Sequence, residues 1–257
     1  MEALIDLLTP GNIPLWAALL AIVAAGFSAA LTAAFGLGGG LALIAVMSAI
    51  FPAAAVVPVH GVAQLGSNAG RFYLQRHHID RQIILWFGLG SLIGALAGGR
   101  LAISLPVWVL QSGVAFFILY SIWGPRPQKF LPGTTTFFLT GVIGSFLTMF
   151  FGATGPVAAT MLSTTKLDRL ALTATHAAAM MLQHGLKIAV FGLLGFAYGE
   201  WAVLIVAMVL VGFAGTYIGT RFLRKMPEKT FRQGFKVILT TIAIYLFISA
   251  IISIRTN

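Results

Sequence analysis

Long apolar stretches separated by short polar loops run along the whole chain. Apart from histidine, no charged residue occurs between positions 7 and 70 or between positions 130 and 165. A helix needs roughly 20 apolar residues to cross the hydrocarbon core of a bilayer. The pattern therefore predicts an all-α, polytopic integral membrane protein with six clear transmembrane helices, at residues 55–75, 82–103, 107–123, 170–196, 201–222 and 232–254.

Two further apolar segments, 14–51 and 134–166, are each interrupted by a glycine cluster, at residues 36–40 and 152–156. Glycines break a helix and allow close approach of the backbone, so each segment is predicted to be a bent or re-entrant helical hairpin. A helix that restarts after such a break has free N–H groups and the positive end of its dipole at membrane depth, which suits an anion. Close helix packing through small residues is the alternative.

The chain contains an internal duplication. At an offset of 116 residues, His60 aligns with His176, and after a five-residue insertion an offset of 121 aligns Gly94 with Gly215. Self-similarity of this kind indicates repeated structural units. It divides the chain into a first transmembrane repeat at 1–123, a linker loop at 124–133 and a second transmembrane repeat at 134–257.

The charges of the loops indicate that the two repeats have opposite orientations. In the first repeat the loop at 76–81 is basic, whereas the matching loop of the second repeat, at 198–200, is acidic. The basic residues of the second repeat collect instead at 221–232. Because basic loops stay in the cytoplasm, we predict two inverted repeats, each a glycine-broken helical hairpin plus three transmembrane helices. A parallel arrangement with four full spans in each repeat is the alternative.

Polar side chains recur at helical spacing within two of the predicted spans. The first stripe consists of His60, Gln64, Ser67, Asn68 and Arg71, and the second of His176, Gln183, His184 and Lys187. This spacing places each stripe on one face of a helix. Polar groups inside a membrane are costly and usually line a site or a path, although hydrogen bonds between helices are the alternative interpretation.

The distribution of charge indicates the sign of the substrate. The formal net charge is +10, but the basic residues gather in short loops, which is typical of membrane orientation, so we expect no nucleic-acid partner. No aspartate or glutamate lies inside a predicted span. A cation site within the membrane would need such a carboxylate. The polar lining therefore favours an anionic substrate, with the lipid bilayer as the surrounding partner.

These features predict a transporter rather than an enzyme, with no catalytic residues, no metal and no cofactor. A membrane-embedded accessory or structural subunit is one alternative. Another is a membrane enzyme in which His60, His176 and His184 bind a metal, but that set lacks a carboxylate or thiolate partner. The chain has no cysteine.

The glycine cluster at 36–40 and two Gly-Arg-Pro patterns resemble the sulfite exporter TauE/SafE family. The patterns are residues 94–101 before Pro106 and residues 215–221 before Pro227. The resemblance extends over nearly the full chain and both repeats. It implies a multi-pass permease of the bacterial inner membrane that exports a small sulfur-containing anion such as sulfite, sulfoacetate or a related organosulfonate.

The sequence leaves open the identity of the anion, the direction of transport, the coupling ion and the oligomeric state, including a homodimer. The substrate is expected between the two glycine clusters, at the interface of the repeats. Its predicted contacts come from the clusters, from the threonines that precede them and from the polar stripes: Thr32, Gly36, Gly38, Gly39, Gly40, His60, Gln64, Asn68, Arg71, Thr148, Gly152, Thr154, Gly155, His176, Gln183, His184 and Lys187. Helix N-termini and side-chain donors would there replace the water around the oxygens of the anion.

Overall fold

The structure is a computed structural model, and it describes residues 2–35, 38–102, 106–124, 131–221 and 228–256. These residues form α-helices joined by short turns and two single-turn 3₁₀ helices, and no strand occurs among them. In chain order the α-helices are α1 (Glu2–Leu8), α2 (Leu15–Phe35), α3 (Gly39–Ile50), α4 (Ala53–Gln75), α5 (Arg81–Ala102), α6 (Val107–Trp123), α7 (Thr134–Phe151), α8 (Gly155–Leu162), α9 (Arg169–Leu193), α10 (Ala202–Arg221) and α11 (Glu228–Thr256).

Within the described ranges, five helices are long and apolar enough to cross a membrane. They are α2, α5, α7, α10 and α11, while α3 and α6 are apolar but shorter. Each of the six spans predicted from the sequence corresponds to one helix, with ends that differ by a few residues. The prediction of an all-α, polytopic membrane protein is therefore confirmed.

The helices α4 and α9, which carry the polar stripes, lie at the centre of the molecule. They pack against each other, α4 also contacts α10, and α9 also contacts α5. Most of their polar side chains are buried: His60, Gln64, Asn68, His176, Gln183, His184 and Lys187. Because protein surrounds these side chains, the cost of placing them in lipid is avoided.

The helices α4 and α9 run antiparallel to each other. Near the start of α4, His60 and Gly61 lie beside Lys187, which is near the end of α9. Just beyond the end of α4, the backbone N–H of Asp80 donates to Thr175 Oγ1 at 3.0 Å, and Thr175 is near the start of α9. Residue numbers therefore rise along one helix as they fall along the other.

The helices α5 and α7 approach so closely that side chains are excluded between them. A Cβ atom added to Gly90 would overlap the carbonyl oxygen of Phe138, and one added to Gly94 would overlap that of Val142. Both pairs are separated by the same number of residues, so the two helices run in the same direction. Glycines at a helix contact allow the backbones this close approach.

The helices α2 and α10 form a second contact of the same kind. A Cβ atom added to Gly215 would overlap the carbonyl oxygen of Gly26, and one added to Gly219 would overlap that of Ala30. The offsets of the duplication relate Gly215 to Gly94 and Gly26 to Val142, so this contact uses the repeat-equivalent positions of the α5–α7 contact. Each tight pair thus joins one helix from the first part of the chain to one from the second.

The two glycine-interrupted segments fold back on themselves. In the first, Ser28 Oγ donates a hydrogen bond to the carbonyl oxygen of Gly39 at 2.7 Å. Ser28 lies about two turns before the end of α2, so α3 begins beside the body of α2 and not beyond its end. In the second, Thr154 Oγ1 donates to the carbonyl oxygen of Gly144 at 3.0 Å, so the chain returns along α7. Gly152 makes this second turn possible with a φ of 71°, which side chains disfavour.

Candidate functional site

The two helix breaks meet at the centre of the molecule, next to α4 and α9. A Cβ atom added to Gly40 would lie 3.6 Å from the Cβ of Ala153 and 3.7 Å from the side-chain amide of Gln64. One added to Gly152 would overlap the side chain of Ile44, in α3, and lie 3.5 Å from His60 Nδ1. The two glycine clusters therefore lie close to each other, beside His60 and Gln64.

Lys187 lies between the two breaks and is completely buried. Its Nζ donates a hydrogen bond to the carbonyl oxygen of Gly152 at 2.8 Å and lies 3.3 Å from His60 Nδ1. An ammonium group has three N–H donors, and the described residues supply acceptors for two of them. One donor therefore remains for a ligand.

His60 connects Lys187 to the first break. Its Nε2 lies 3.0 Å from the carbonyl oxygen of Gly40, which can only accept, so Nε2 carries the proton and donates. In a neutral imidazole the other nitrogen, Nδ1, is then an acceptor, as the contact with Lys187 requires. Through Lys187 and His60, the carbonyl of Gly40 in one break is linked to that of Gly152 in the other.

His176 makes the corresponding contact in the second half of the chain. Its Nε2 donates to the carbonyl oxygen of Gly155 at 3.2 Å, at the start of α8. His184 lies between the two, with its ring centre 5.9 Å from that of His60 in an edge-to-face arrangement. The Nδ1 atom of His184 is buried and has no partner among the described residues.

Three other polar residues of α4, Gln64, Asn68 and Arg71, are connected by hydrogen bonds. Gln64 Nε2 donates to Ser28 Oγ at 3.1 Å, and Asn68 Nδ2 donates to the carbonyl oxygen of Gln64 at 2.7 Å. Arg71 Nη2 in turn donates to Asn68 Oδ1 at 2.6 Å. These bonds fix the orientation of the stripe and attach it to α2, since Ser28 also holds the start of α3.

The second break has its own polar contacts. Thr154 Oγ1 lies 3.2 Å from Gln183 Oε1 as well as close to the carbonyl oxygen of Gly144, so its single hydroxyl proton is shared between two acceptors. Gln183 Nε2 and Thr148 Oγ1 are buried without a hydrogen-bond partner in the described part of the chain. Buried donors of this kind normally have partners, so both atoms are available to a bound anion.

Among the predicted contacts, Gly36 lies outside the described residues. Thr32 lies at the first break, because a Cβ atom added to Gly39 would overlap its Oγ1. That hydroxyl donates to the carbonyl oxygen of Ser28 in its own helix at 3.0 Å. Sequence reasoning missed Ser28, because the duplication places a glycine, Gly144, at its equivalent position. Its spacing of four residues from Thr32 was the available signal.

The central cluster contains bases and neutral donors but no acid. The six acidic residues of the chain lie at helix ends or in loops, or in α1: Glu2, Asp6, Asp80, Asp168, Glu200 and Glu228. Among the described residues, no three His, Cys, Asp or Glu side chains are arranged as a metal site. A separate cavity of about 410 Å³ opens among the loops around Asp80, Pro132 and Lys166, and none of the predicted site residues lines it.

Comparison with known proteins identifies the family. The model of the family described as "Sulfite exporter TauE/SafE" matches residues 18–246, which is most of the chain. Neither the search of curated proteins nor that of solved structures gave a significant match. The chain therefore belongs to the sulfite exporter TauE/SafE family, whose members are membrane transporters.

Proposed function

We propose that this transporter carries a small sulfur-containing anion, such as sulfite, sulfoacetate or a related organosulfonate, out of a bacterial cell across the inner membrane. The family supplies the transporter class and the sulfur chemistry. The observation that supports a binding position is Lys187, a fully buried base between the two helix breaks with no acidic residue in the surrounding spans. The anion binds at Lys187.

A buried charge without a counter-charge is costly, by several kcal/mol even after the protein relaxes. Hydrogen bonds from Lys187 to Gly152 O and His60 Nδ1 offset part of this cost, but neither acceptor carries a negative charge. A bound anion would supply the missing charge and accept the remaining N–H. In the empty transporter the positive charge of Lys187 has no counter-charge, and this favours the binding of an anion.

Two further donors belong to residues at the second break, whose Gly152 carbonyl accepts from Lys187. Gln183 Nε2 and Thr148 Oγ1 are buried and unpaired among the described residues. An oxyanion with several oxygens can accept hydrogen bonds from such groups as well as from an ammonium group, and charge-assisted bonds of this type are about twice as strong as neutral ones. Sulfite and sulfonates present three oxygens on one sulfur, which matches a site with donors from two helices.

The two halves of the chain act as inverted repeats, with boundaries at 1–123 and 134–257. Antiparallel packing of the equivalent helices α4 and α9 supports this arrangement, because a parallel repeat would give them the same direction across the membrane. It also brings the basic loops before α5 and α9 to one face, where the backbone N–H of Asp80 donates to Thr175 Oγ1 at 3.0 Å. Glu200, beyond the end of α9, then faces the other side, in line with the positive-inside rule.

A transport assay tests the role of Lys187. Proteoliposomes loaded with radiolabelled sulfite would contain the wild-type protein, Lys187→Met or Lys187→Arg. We expect Lys187→Met to reduce efflux at least about tenfold, which corresponds to about 1.4 kcal/mol, and Lys187→Arg to retain part of it. Lys236→Met is the matched control, since Lys236 lies in α11, with its Nζ 4.6 Å from the centre of the Trp123 ring.

Competition by unlabelled anions identifies the substrate class. The assay would be repeated with an unlabelled anion present on both sides of the vesicle membrane. The anions are sulfoacetate, taurine, sulfate, thiosulfate and chloride, each tested separately. Inhibition by sulfur oxyanions and not by chloride is the expected result. Wild-type efflux by Lys187→Met would contradict the proposed site, and the absence of sulfite transport by the wild-type protein would contradict the proposed substrate.

A further inference from the structure

Lys187 has a repeat-equivalent basic residue, Arg71, at the opposite end of the α4–α9 pair. Lys187 follows His176 by 11 residues in α9, and Arg71 follows His60 by 11 residues in α4. Because the helices are antiparallel, Lys187 lies beside the histidine of the other repeat, with its Nζ 3.3 Å from His60 Nδ1, while Arg71 lies toward the end of the pair at which α9 begins. The duplication therefore places one basic residue toward each end of the pair.

Arg71 has donors without an acceptor in the part of the chain that the structure describes. Its Nη2 is fixed by Asn68 Oδ1 at 2.6 Å, but its Nη1 is buried and has no partner among the described residues. Ser67 Oγ is also buried and unpartnered there, and it lies four residues earlier on the same face of α4. A guanidinium group and a hydroxyl group at this spacing can donate together to the oxygens of one oxyanion.

The surroundings of His176 resemble those of His60. Each histidine donates from Nε2 to a carbonyl oxygen in the first turn of a short helix, His60 to Gly40 and His176 to Gly155. Each imidazole therefore turns its Nδ1 edge away from the short helix. Arg71 offers a planar guanidinium group where its repeat equivalent, Lys187, offers an ammonium group.

Lys187, which lies beside His60, and Arg71 are too far apart to share one small anion. Eleven residues of α-helix span roughly 16 Å, and sulfite has a single sulfur with its oxygens directly attached. Arg71 lies four residues before the end of α4, on the side of the basic loop at 76–81, whereas Lys187 lies six residues before the end of α9. An anion at Arg71 is therefore a different bound anion from one at Lys187.

We propose that Arg71, with Ser67, forms a second anion-binding site on the side of the basic loops, separate from the site at Lys187. Its ligand is an oxyanion of the same class, a sulfite or sulfonate group whose oxygens accept from the guanidinium Nη1 and the serine hydroxyl. The inference rests on the proposed function, because both sites serve the same substrate. An exported anion would occupy the Arg71 site first and the Lys187 site second.

Equilibrium binding measures the number of sites directly. Radiolabelled sulfite would be titrated under anaerobic conditions into purified wild-type protein and into Arg71→Met, Lys187→Met and Arg76→Met. Arg76 is the matched control, because it is exposed and its guanidinium group contacts the carbonyl oxygen and the ring of Tyr73. We expect two anions per chain for the wild-type protein and for Arg76→Met, and one for each of the other two variants.

The outcomes separate this inference from the proposed function. If Lys187→Met loses binding while Arg71→Met binds as many anions as the wild-type protein, the second site is wrong and the site at Lys187 stands. A single bound anion in the wild-type protein also overturns the second site. If the wild-type protein binds no sulfite, both proposals are wrong.

A conservative variant covers the case in which Arg71→Met does not fold. Arg71→Lys keeps the positive charge but loses the planar pair of donors that suits two oxygens. We expect it to bind two anions, with one of the two dissociation constants raised about tenfold, or about 1.4 kcal/mol, and the other unchanged. Two unchanged dissociation constants would overturn the proposed role of the guanidinium group.

Discussion

The central helix pair α4–α9 and the flanking pairs α5–α7 and α2–α10 are built on opposite principles. In the flanking pairs, glycines bring backbone against backbone, as Gly94 does with the carbonyl of Val142, and there is no room for a side chain. In the central pair, the interface holds long polar side chains, including Lys187 and Arg71, and several of their donors have no partner among the described residues. The flanking interfaces leave no space for a ligand, whereas the central interface has donors that can bind one.

This difference assigns a different role to each interface. Close glycine contacts stabilise membrane helices by van der Waals packing, so the flanking pairs are expected to determine stability. Buried, unpaired polar groups reduce stability, so the central pair is expected to determine function. Substitutions in the two regions should therefore separate into those that unfold the protein and those that leave it folded but inactive.

The first prediction concerns the direction in which α4 and α9 cross the membrane. The chain has no cysteine, so single-cysteine variants can be labelled without a background. Glu200→Cys and His77→Cys replace exposed residues beyond the ends of α9 and α4. An impermeant maleimide added to intact cells should label the first completely and the second not at all. Labelling of both only after lysis would contradict the inverted arrangement.

The second prediction concerns the close contact between α5 and α7. Gly94→Ala places a Cβ atom on the carbonyl oxygen of Val142, so α5 and α7 must separate. Overpacking of this kind costs about 1–3 kcal/mol, and we expect the melting temperature to fall by about 5–10 °C. Gly88→Ala in the same helix is the control, because its Cβ would be 3.4 Å from a methyl group of Leu182. Equal melting temperatures for the two variants would show that the close contact does not stabilise the fold.

The third prediction concerns the hydrogen bonds that attach the central pair to α2. Ser28→Ala removes the hydroxyl that donates to Gly39 O and accepts from Gln64 Nε2. Leaving a buried partner unsatisfied costs about 1–3 kcal/mol. Ser48→Ala is the matched control, since Ser48 Oγ is buried without a partner in the described residues. The melting temperature should therefore fall in Ser28→Ala and stay unchanged in Ser48→Ala. An equal fall in both variants would refute this role of Ser28.

The fourth prediction perturbs the central pair with little effect on stability. The Cβ atom of Gly61→Ala would lie 2.9 Å from Cε of Lys187, a flexible side chain that can move aside. We expect sulfite efflux to fall several-fold while the melting temperature stays within about 2 °C, equivalent to about 0.5–1 kcal/mol. Gly185→Ala in α9 is the control, because no atom lies within 4 Å of its added Cβ. Unchanged efflux in Gly61→Ala would indicate that the position of Lys187 is unimportant.

Much of the helical architecture could be predicted because it follows from local properties of the sequence. The spacing of apolar residues located α4 and α9 to within a few residues at each end, and the spacing from His60 to Arg71 placed the stripe on one face. Which polar groups would pair could not be predicted, since those contacts join distant parts of the chain. The bond from Lys187 to Gly152 and the role of Ser28 depend on how the two breaks fold back, which no local pattern encodes.

Binding of an anion at Lys187 can be measured by thermal stabilisation of the purified protein. A ligand at 100 times its dissociation constant stabilises the native state by about 2.7 kcal/mol for each site that it fills, which should raise the melting temperature by about 5–10 °C per site. Sulfite should produce this shift in the wild-type protein, and chloride at equal ionic strength should not. In Lys187→Met, which should remain folded, we predict that the shift from sulfite is reduced by at least half, because only the site at Arg71 remains. A shift of the same size in Lys187→Met and in the wild-type protein would contradict the account.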